Sequence, residues 1–180
     1  MPPTGTDEGG SDARDTGPAG GSRLSHLDES GTARMVDVGD KAVTTRTATA
    51  EGEVACSPEV MTALREGTVP KGDVLAVARI AGISAAKKVP ELLPLAHTIG
   101  VHGCAVDLEL ADAHVKITAT VRTADRTGVE MEALTAVNVA ALALIDMVKG
   151  VDRSAYIRRC GIVAKSGGRS GDWSRTLPEA

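Results

Sequence analysis

Two alternating segments, only three residues apart, constrain this chain more than anything else in it. In Cys104–Leu110 the apolar side chains are Cys104, Val106, Leu108 and Leu110, with Asp107 and Glu109 between them. In His114–Arg122 they are Val115, Ile117, Ala119 and Val121, and the other parity holds Lys116, Thr118, Thr120 and Arg122. Successive side chains of a strand point to opposite faces, so each segment has one dry and one wet side. With Ala111-Asp112-Ala113 as the link, the two predict an antiparallel hairpin whose dry face must be covered.

The flanking sequence predicts the cover. Lys41–Val54 is rich in Thr, Val and Ala with rough period-two alternation, a strand signal. Ser57-Pro58-Glu59 then offers a cap, a first-turn proline and a first-turn acid, and Gly67 closes a short helix. Asp73 caps a second helix running to about Lys88, and Pro90 and Pro94 keep any further helix short. A long helix from about Glu130 to Lys149 ends at Gly150, and Tyr156–Ala164 reads as a final strand. Strand, helices, strand, strand, helix, strand is the order of a ferredoxin-like βαββαβ sandwich. The expected class is α+β, an antiparallel sheet with helices on one face. The other face is wet or covered by another subunit, and Arg46, Arg122 and the threonine rows assigned to it leave room for an interface.

Composition narrows the partners. Aromatic residues make up 1%, so the core is aliphatic and base-stacking platforms are excluded. Twenty Lys plus Arg against 24 Asp plus Glu leave a net charge of -4, which argues against nucleic acid as a partner. Cys56, Cys104 and Cys160 are scattered with no C-x-x-C pair, so neither a zinc site nor a disulfide framework is expected. The longest uninterrupted apolar run is Val139–Ile145, far short of a membrane span, and no signal peptide opens the chain. A cytoplasmic protein without a membrane partner is expected. Residues 1–24, Gly- and Pro-rich with Met1 and Leu24 as their large apolar side chains, read as a disordered tail. Residues 25–174 form the folded domain, and 175–180 a flexible end.

Candidate chemistry clusters in four places. With Glu132 at zero on a helical wheel, Asp146, Thr135, Lys149 and Asn138 fall at about 320°, 300°, 260° and 240°. A solvated stripe is the plain reading of that arc. Asp146 and Lys149 at i, i+3 can also pair, leaving a positioned amine fit for acid–base work. Lys71, in Pro70-Lys71-Gly72-Asp73, stands on a turn at the mouth of a helix, either as a surface lysine or as an amine aimed into a cleft. His97 lies in an apolar, proline-shaped loop, as a structural histidine or as a phosphate or proton ligand. The glycine-rich stretch Lys165–Asp172 lacks P-loop spacing, but its amides could cradle an anion with Lys165 and Arg169 supplying charge. The residues alone lead to an α+β domain with an anion-binding cleft.

At these same residues the chain resembles the MoaC family. The matching stretches are Ala33–Val38, Lys71–Val74 leading to Ala78–Ile83, and Pro94–His97. They continue with Thr127-Gly128-Val129-Glu130-Met131-Glu132-Ala133-Leu134-Thr135-Ala136, Asp146-Met147 with Lys149, and Ala164–Gly168 with Ser170-Gly171-Asp172. Family members often read Pro-Leu-Cys-His-Pro around the histidine, where this chain has Ala96 and Thr98.

The resemblance implies a lyase that converts 3',8-cyclo-7,8-dihydro-GTP to cyclic pyranopterin monophosphate with release of pyrophosphate, in molybdenum cofactor biosynthesis. It implies a homohexamer, a trimer of dimers with active sites at subunit interfaces, and a radical GTP cyclase upstream as functional partner. No cofactor or resident metal is required, and Mg²⁺ is allowed as a companion of the triphosphate. Carried onto this sequence, Lys71 and Lys149 would do the acid–base work, with Asp146 holding Lys149. Arg46, His97 and Lys165 would grip the triphosphate, and Glu130, Met131 and Glu132 would contact the guanine-derived ring. The contrasting expectations are a non-catalytic ferredoxin-like module that binds a nucleotide and regulates a partner, and a purely structural oligomer.

Overall fold

A computed structural model of the chain describes residues 31–169 and 171–178. The tail expected over 1–24 lies outside the described residues. The chain divides into two units, residues 1–36 and 37–180. In the first, the described stretch 31–36 is exposed or half-buried and forms no helix.

The second unit holds five strands and four helices among its described residues. Strand β1 (Thr44–Ala55) leads to helices α1 (Pro58–Glu66), α2 (Val74–Ala85) and α3 (Val89–Leu92). The hairpin β2 (Gly103–Leu110) and β3 (His114–Asp125) follows, then α4 (Glu130–Val148), β4 (Tyr156–Ser166) and a two-residue β5 (Trp173–Ser174). All neighbouring strands are antiparallel, in the order β2-β3-β1-β4-β5. That is the expected ferredoxin-like arrangement with β5 added at one edge.

The local signals produce the local structure. Ser57 Oγ accepts from Val60 N–H at the start of α1, and Gly67 ends that helix in the left-handed region. Asp73 Oδ1 accepts from Ala76 N–H at the start of α2. This helix stops at Ala85 rather than Lys88, because Lys88 N–H turns back to the Ala85 carbonyl ahead of Pro90. Pro90 sits in the single turn of α3, where its missing N–H costs nothing.

Ala48, Ala50 and Val54 of β1 and Val115, Ile117, Ala119 and Val121 of β3 point at the helices, and all are buried. Against them pack Ala133, Ala136, Val137, Ala140, Ala141 and Leu144 of α4. Although α4 is long and apolar enough by length and composition to cross a membrane, half of it is spent on this core. Small residues set the spacing. A Cβ on Gly82 of α2 would come within 2.8 Å of the Ala136 carbonyl oxygen, so glycine lets α2 lie directly on α4.

Two side-chain placements differ from the sequence reading. Arg46 pairs with Thr123, two places from the Ala48–Val121 pair, so it lies on the helix side of the sheet and not on the open face. Period-two geometry decides this, since Arg46 shares parity with the buried alanines. The polar arc of α4 also changes. Glu132 is buried, and the exposed face instead carries Met131 and Leu142 beside Asp146 and Lys149. Asn138 turns toward β4, donating to Cys160 Sγ at 3.4 Å.

Of the stretch expected to be flexible, the described part runs along β4. Arg175 N–H donates to the Val163 carbonyl at 2.7 Å, and Leu177 is buried over Gly161.

Candidate active site

The two ends of α4 carry two separate groups of polar side chains. At its C-terminal end, the turn after α1 delivers Lys71 to Asp146. Gly72 adopts a positive φ of 96° there, and its N–H closes the turn on the Val69 carbonyl. Lys71 Nζ donates to Asp146 Oδ2 at 2.9 Å and to the Asp146 backbone carbonyl at 2.7 Å. Lys149 Nζ reaches the other carboxylate oxygen, Oδ1, at 2.7 Å. One carboxylate thus holds two amines side by side at the negative end of a helix dipole, which favours cations. Hydrogen bonds from Lys149 and then Lys71 pull the Asp146 carboxyl from 3.8 down to about 2. The side chains of Lys71 and Lys149 are 43% and 57% exposed, open to a guest.

At the N-terminal end of α4, Lys165 Nζ lies 3.7 Å from Glu130 Oε1. Lys165 pairs with Ala48 across the sheet, which places it on the helix side where α4 begins. Arg46 stands on the same side. Its Nε donates to the Asp125 carbonyl at 3.0 Å and its Nη2 to the Arg126 carbonyl at 3.2 Å, fixing the guanidinium plane. The Gly167-Gly168 pair folds over it with φ of 82° and 77°. A Cβ on Gly168 would collide with Arg46 Nη1, and one on Gly167 with the Thr45 carbonyl. The glycines therefore permit the approach as well as the turn.

Glu132 is 3% exposed, and among the described residues no ion pair reaches it. Burial pushes its carboxyl above the ordinary 4.5; a hydrogen bond from its own N–H opposes the push, and nearby Glu130 adds to it. A carboxyl raised in the folded state destabilises the fold above that raised value, and the penalty vanishes below the unfolded value. Glu132→Gln is therefore expected to melt at a higher temperature than the parent at pH 7. The gap should close as pH falls toward 4.5, the ordinary carboxyl value. Thermal melts at the two pH values check this, and a gap independent of pH would assign the effect to packing.

Met131 is exposed beside these acids. His97 is half-buried in the loop between α3 and β2. That loop is tied to β3, where Thr123 Oγ1 donates to the Gly100 carbonyl and Ala124 N–H to His102 Nδ1. His102, to which the sequence assigned nothing, is thus an anchor for the segment that carries His97.

The structure brings Lys71, Asp146 and Lys149 together and, separately, Glu130 and Lys165. Sequence reasoning missed Lys41 and Arg126, which line a cavity of about 430 Å³ with Arg46 and Arg169. The signal was present as Lys41 just ahead of the first strand and Arg126 just ahead of the long helix, both isolated cations without a motif. Among the described residues no group of three or more His, Cys, Asp or Glu side chains could hold a metal ion.

Residues 35–168 match the model of the MoaC family. The chain is 62% identical over 157 residues to a cyclic pyranopterin monophosphate synthase of Streptomyces griseus, covering 87% of this chain and 89% of that protein. It is 59% identical over 160 residues to the protein of the same name from Streptomyces avermitilis, covering 89% and 94%. Against that of Roseiflexus sp. it is 58% identical over 154 residues, covering 84% and 98%.

Proposed function

The chain belongs to the MoaC family, and from that premise we propose that it is a cyclic pyranopterin monophosphate synthase, a lyase of molybdenum cofactor biosynthesis. Its substrate on this reading is 3',8-cyclo-7,8-dihydro-GTP, supplied by a radical GTP cyclase, and its second product is pyrophosphate. The enzyme works in the cytoplasm, with no cofactor of its own. The observation that carries the reading is the pair of amines on one carboxylate, Lys71 and Lys149 on Asp146. Binding a nucleotide requires no such pair. Opening a purine ring and closing a new one requires several proton transfers, and two adjacent ammonium groups open to solvent are equipped for them.

The remaining residues hold the guest. Arg46 offers a fixed planar fork to phosphate oxygens, Lys165 a point charge, and His97 a ring nitrogen on a loop anchored at both Gly100 and His102. Glu132, buried without an ion pair, would regain hydrogen bonds from the paired N–H donors of a guanine-like edge, with Glu130 and Met131 beside it. Closing the cyclic phosphate joins a substrate oxygen to the α-phosphorus and breaks the bond to the β-phosphate, so the charge on the departing pyrophosphate needs cations nearby.

Glu132 and Lys149 are separated by about 26 Å at 1.5 Å per residue of α4, too far for one small guest. Two chains therefore supply one site, each giving opposite ends of its α4, in a hexamer built as a trimer of dimers. The test is incubation of the purified full chain with the purified cyclic intermediate, followed by mass analysis. Appearance of the pterin and one equivalent of pyrophosphate is expected. Recovery of the intermediate unchanged but bound would instead support a nucleotide-binding module.

A further inference from the structure

Residues 93–102 join α3 to β2 without helix or strand, and this stretch carries His97. Such a segment holds its place only through the groups that tie it down. Ahead of His97, Ala96 N–H closes a turn on the Leu93 carbonyl at 3.0 Å. Beyond it, three ties run to β3. The buried Thr123 donates through Oγ1 to the Gly100 carbonyl, and His102 N–H donates to the Arg122 carbonyl at 3.0 Å. Backbone pairing of β2 with β3 begins at Gly103 opposite Arg122, whereas β3 continues along β1 to Asp125. Ala124 thus lies past the end of β2. Its N–H donates instead to His102 Nδ1 at 3.1 Å, so an imidazole supplies the rung that a longer β2 would have made. The ring comes in against Gly100, where a Cβ would stand 3.3 Å from Nε2. A backbone N–H can only donate, so Nδ1 bears the lone pair and Nε2 the proton.

We propose that His102 is a positioning residue: through this side-chain rung it fixes the stretch that presents His97, and so sets how firmly the protein grips its triphosphate. His102 touches no substrate on this account and acts only through His97. The rung rests on geometry alone. The effect on substrate rests on the synthase reading, in which His97 meets the triphosphate. What the place requires is an acceptor at the position of Nδ1, not an imidazole as such. Asn meets that need, because its Oδ1 stands as far along the side chain as Nδ1. The Gln acceptor lies one bond further out, and Leu has none.

Hydrogen exchange on the full-length protein, read by mass spectrometry, tests the rung. In His102→Leu, fragments covering 98–102 and 123–125 should exchange about fivefold faster or more than in the wild type. In His102→Asn they should exchange at close to the wild-type rate. His102 is exposed, so neither change disturbs the core, and circular dichroism checks that both variants stay folded. Equal exchange in the wild type and His102→Leu overturns the proposal.

In turnover assays His102→Leu should raise KM for the cyclic intermediate about three- to tenfold, the worth of one hydrogen bond, with kcat nearly unchanged. His102→Asn should return KM to near the wild-type value, and His102→Gln should not. In a His97→Ala background the leucine change should add nothing, since a residue acting through His97 has nothing left to place. A wild-type KM in His102→Leu, an equal defect in His102→Asn, or a full added factor beside His97→Ala overturns the proposal. If exchange behaves as expected but the wild type yields no pterin, the synthase reading falls, and with it the effect on substrate, while the rung stands.

Discussion

Lys149→Ala and Lys71→Ala each lower turnover of the cyclic intermediate by about 10²- to 10⁴-fold, the range that a positioned acid or base supplies. The protein stays folded. Both amines are exposed, and both make their ion pairs with Asp146, itself a surface carboxylate. Exposed pairs of this kind add little to stability, so what alanine removes is chemistry. Single-turnover assays beside circular dichroism separate the two effects. Near-normal turnover in either variant would remove that lysine from the acid–base role.

Asp146 adds a pH condition. Its folded-state carboxyl is depressed from 3.8 to about 2, so its pairing is fully present above the ordinary value and is lost as pH falls through about 2. An acid limb in the turnover profile at pH 5 or 6 (roughly the range where histidine and raised carboxyls titrate) then belongs to another group.

The second large effect is a rescue. Lys149→Ala and Lys165→Ala each remove one end of the proposed two-chain site, from opposite ends of α4. If two chains build each site, co-assembly of the two dead variants in equal amounts restores activity. About one quarter of the sites draw both intact lysines under random mixing of two chain types across a subunit interface. If a single chain supplied both lysines, every mixed site would lack one, and the mixture would stay as inactive as its parts. The assay is specific activity after co-expression or joint refolding, against each variant alone.

The hairpin, its dry and wet parities, the caps at Ser57 and Asp73 and the span of α4 were legible because each depends on neighbours within about a turn or a strand pair. The family blocks pointed to Lys71, Asp146 and Lys149 as a set. Pattern alone offered only the i, i+3 pair of Asp146 with Lys149. That Lys71 also lands on Asp146 depends on α2 packing along α4, which brings the turn leading into α2 to the far end of α4, across 75 positions.

By itself, then, the chain's order of residues determined a ferredoxin-like sandwich and the kinds of side chain available to its sites. Helical and strand periods are local and survive in any packing of these elements. The tertiary structure decided that Arg46 faces the helices under Gly168, that Glu132 is buried, and that Lys41 and Arg126 join Arg46 around one cavity. Those placements follow from strand order, register and the docking angle of α4, and such relations join positions 80 or more residues apart.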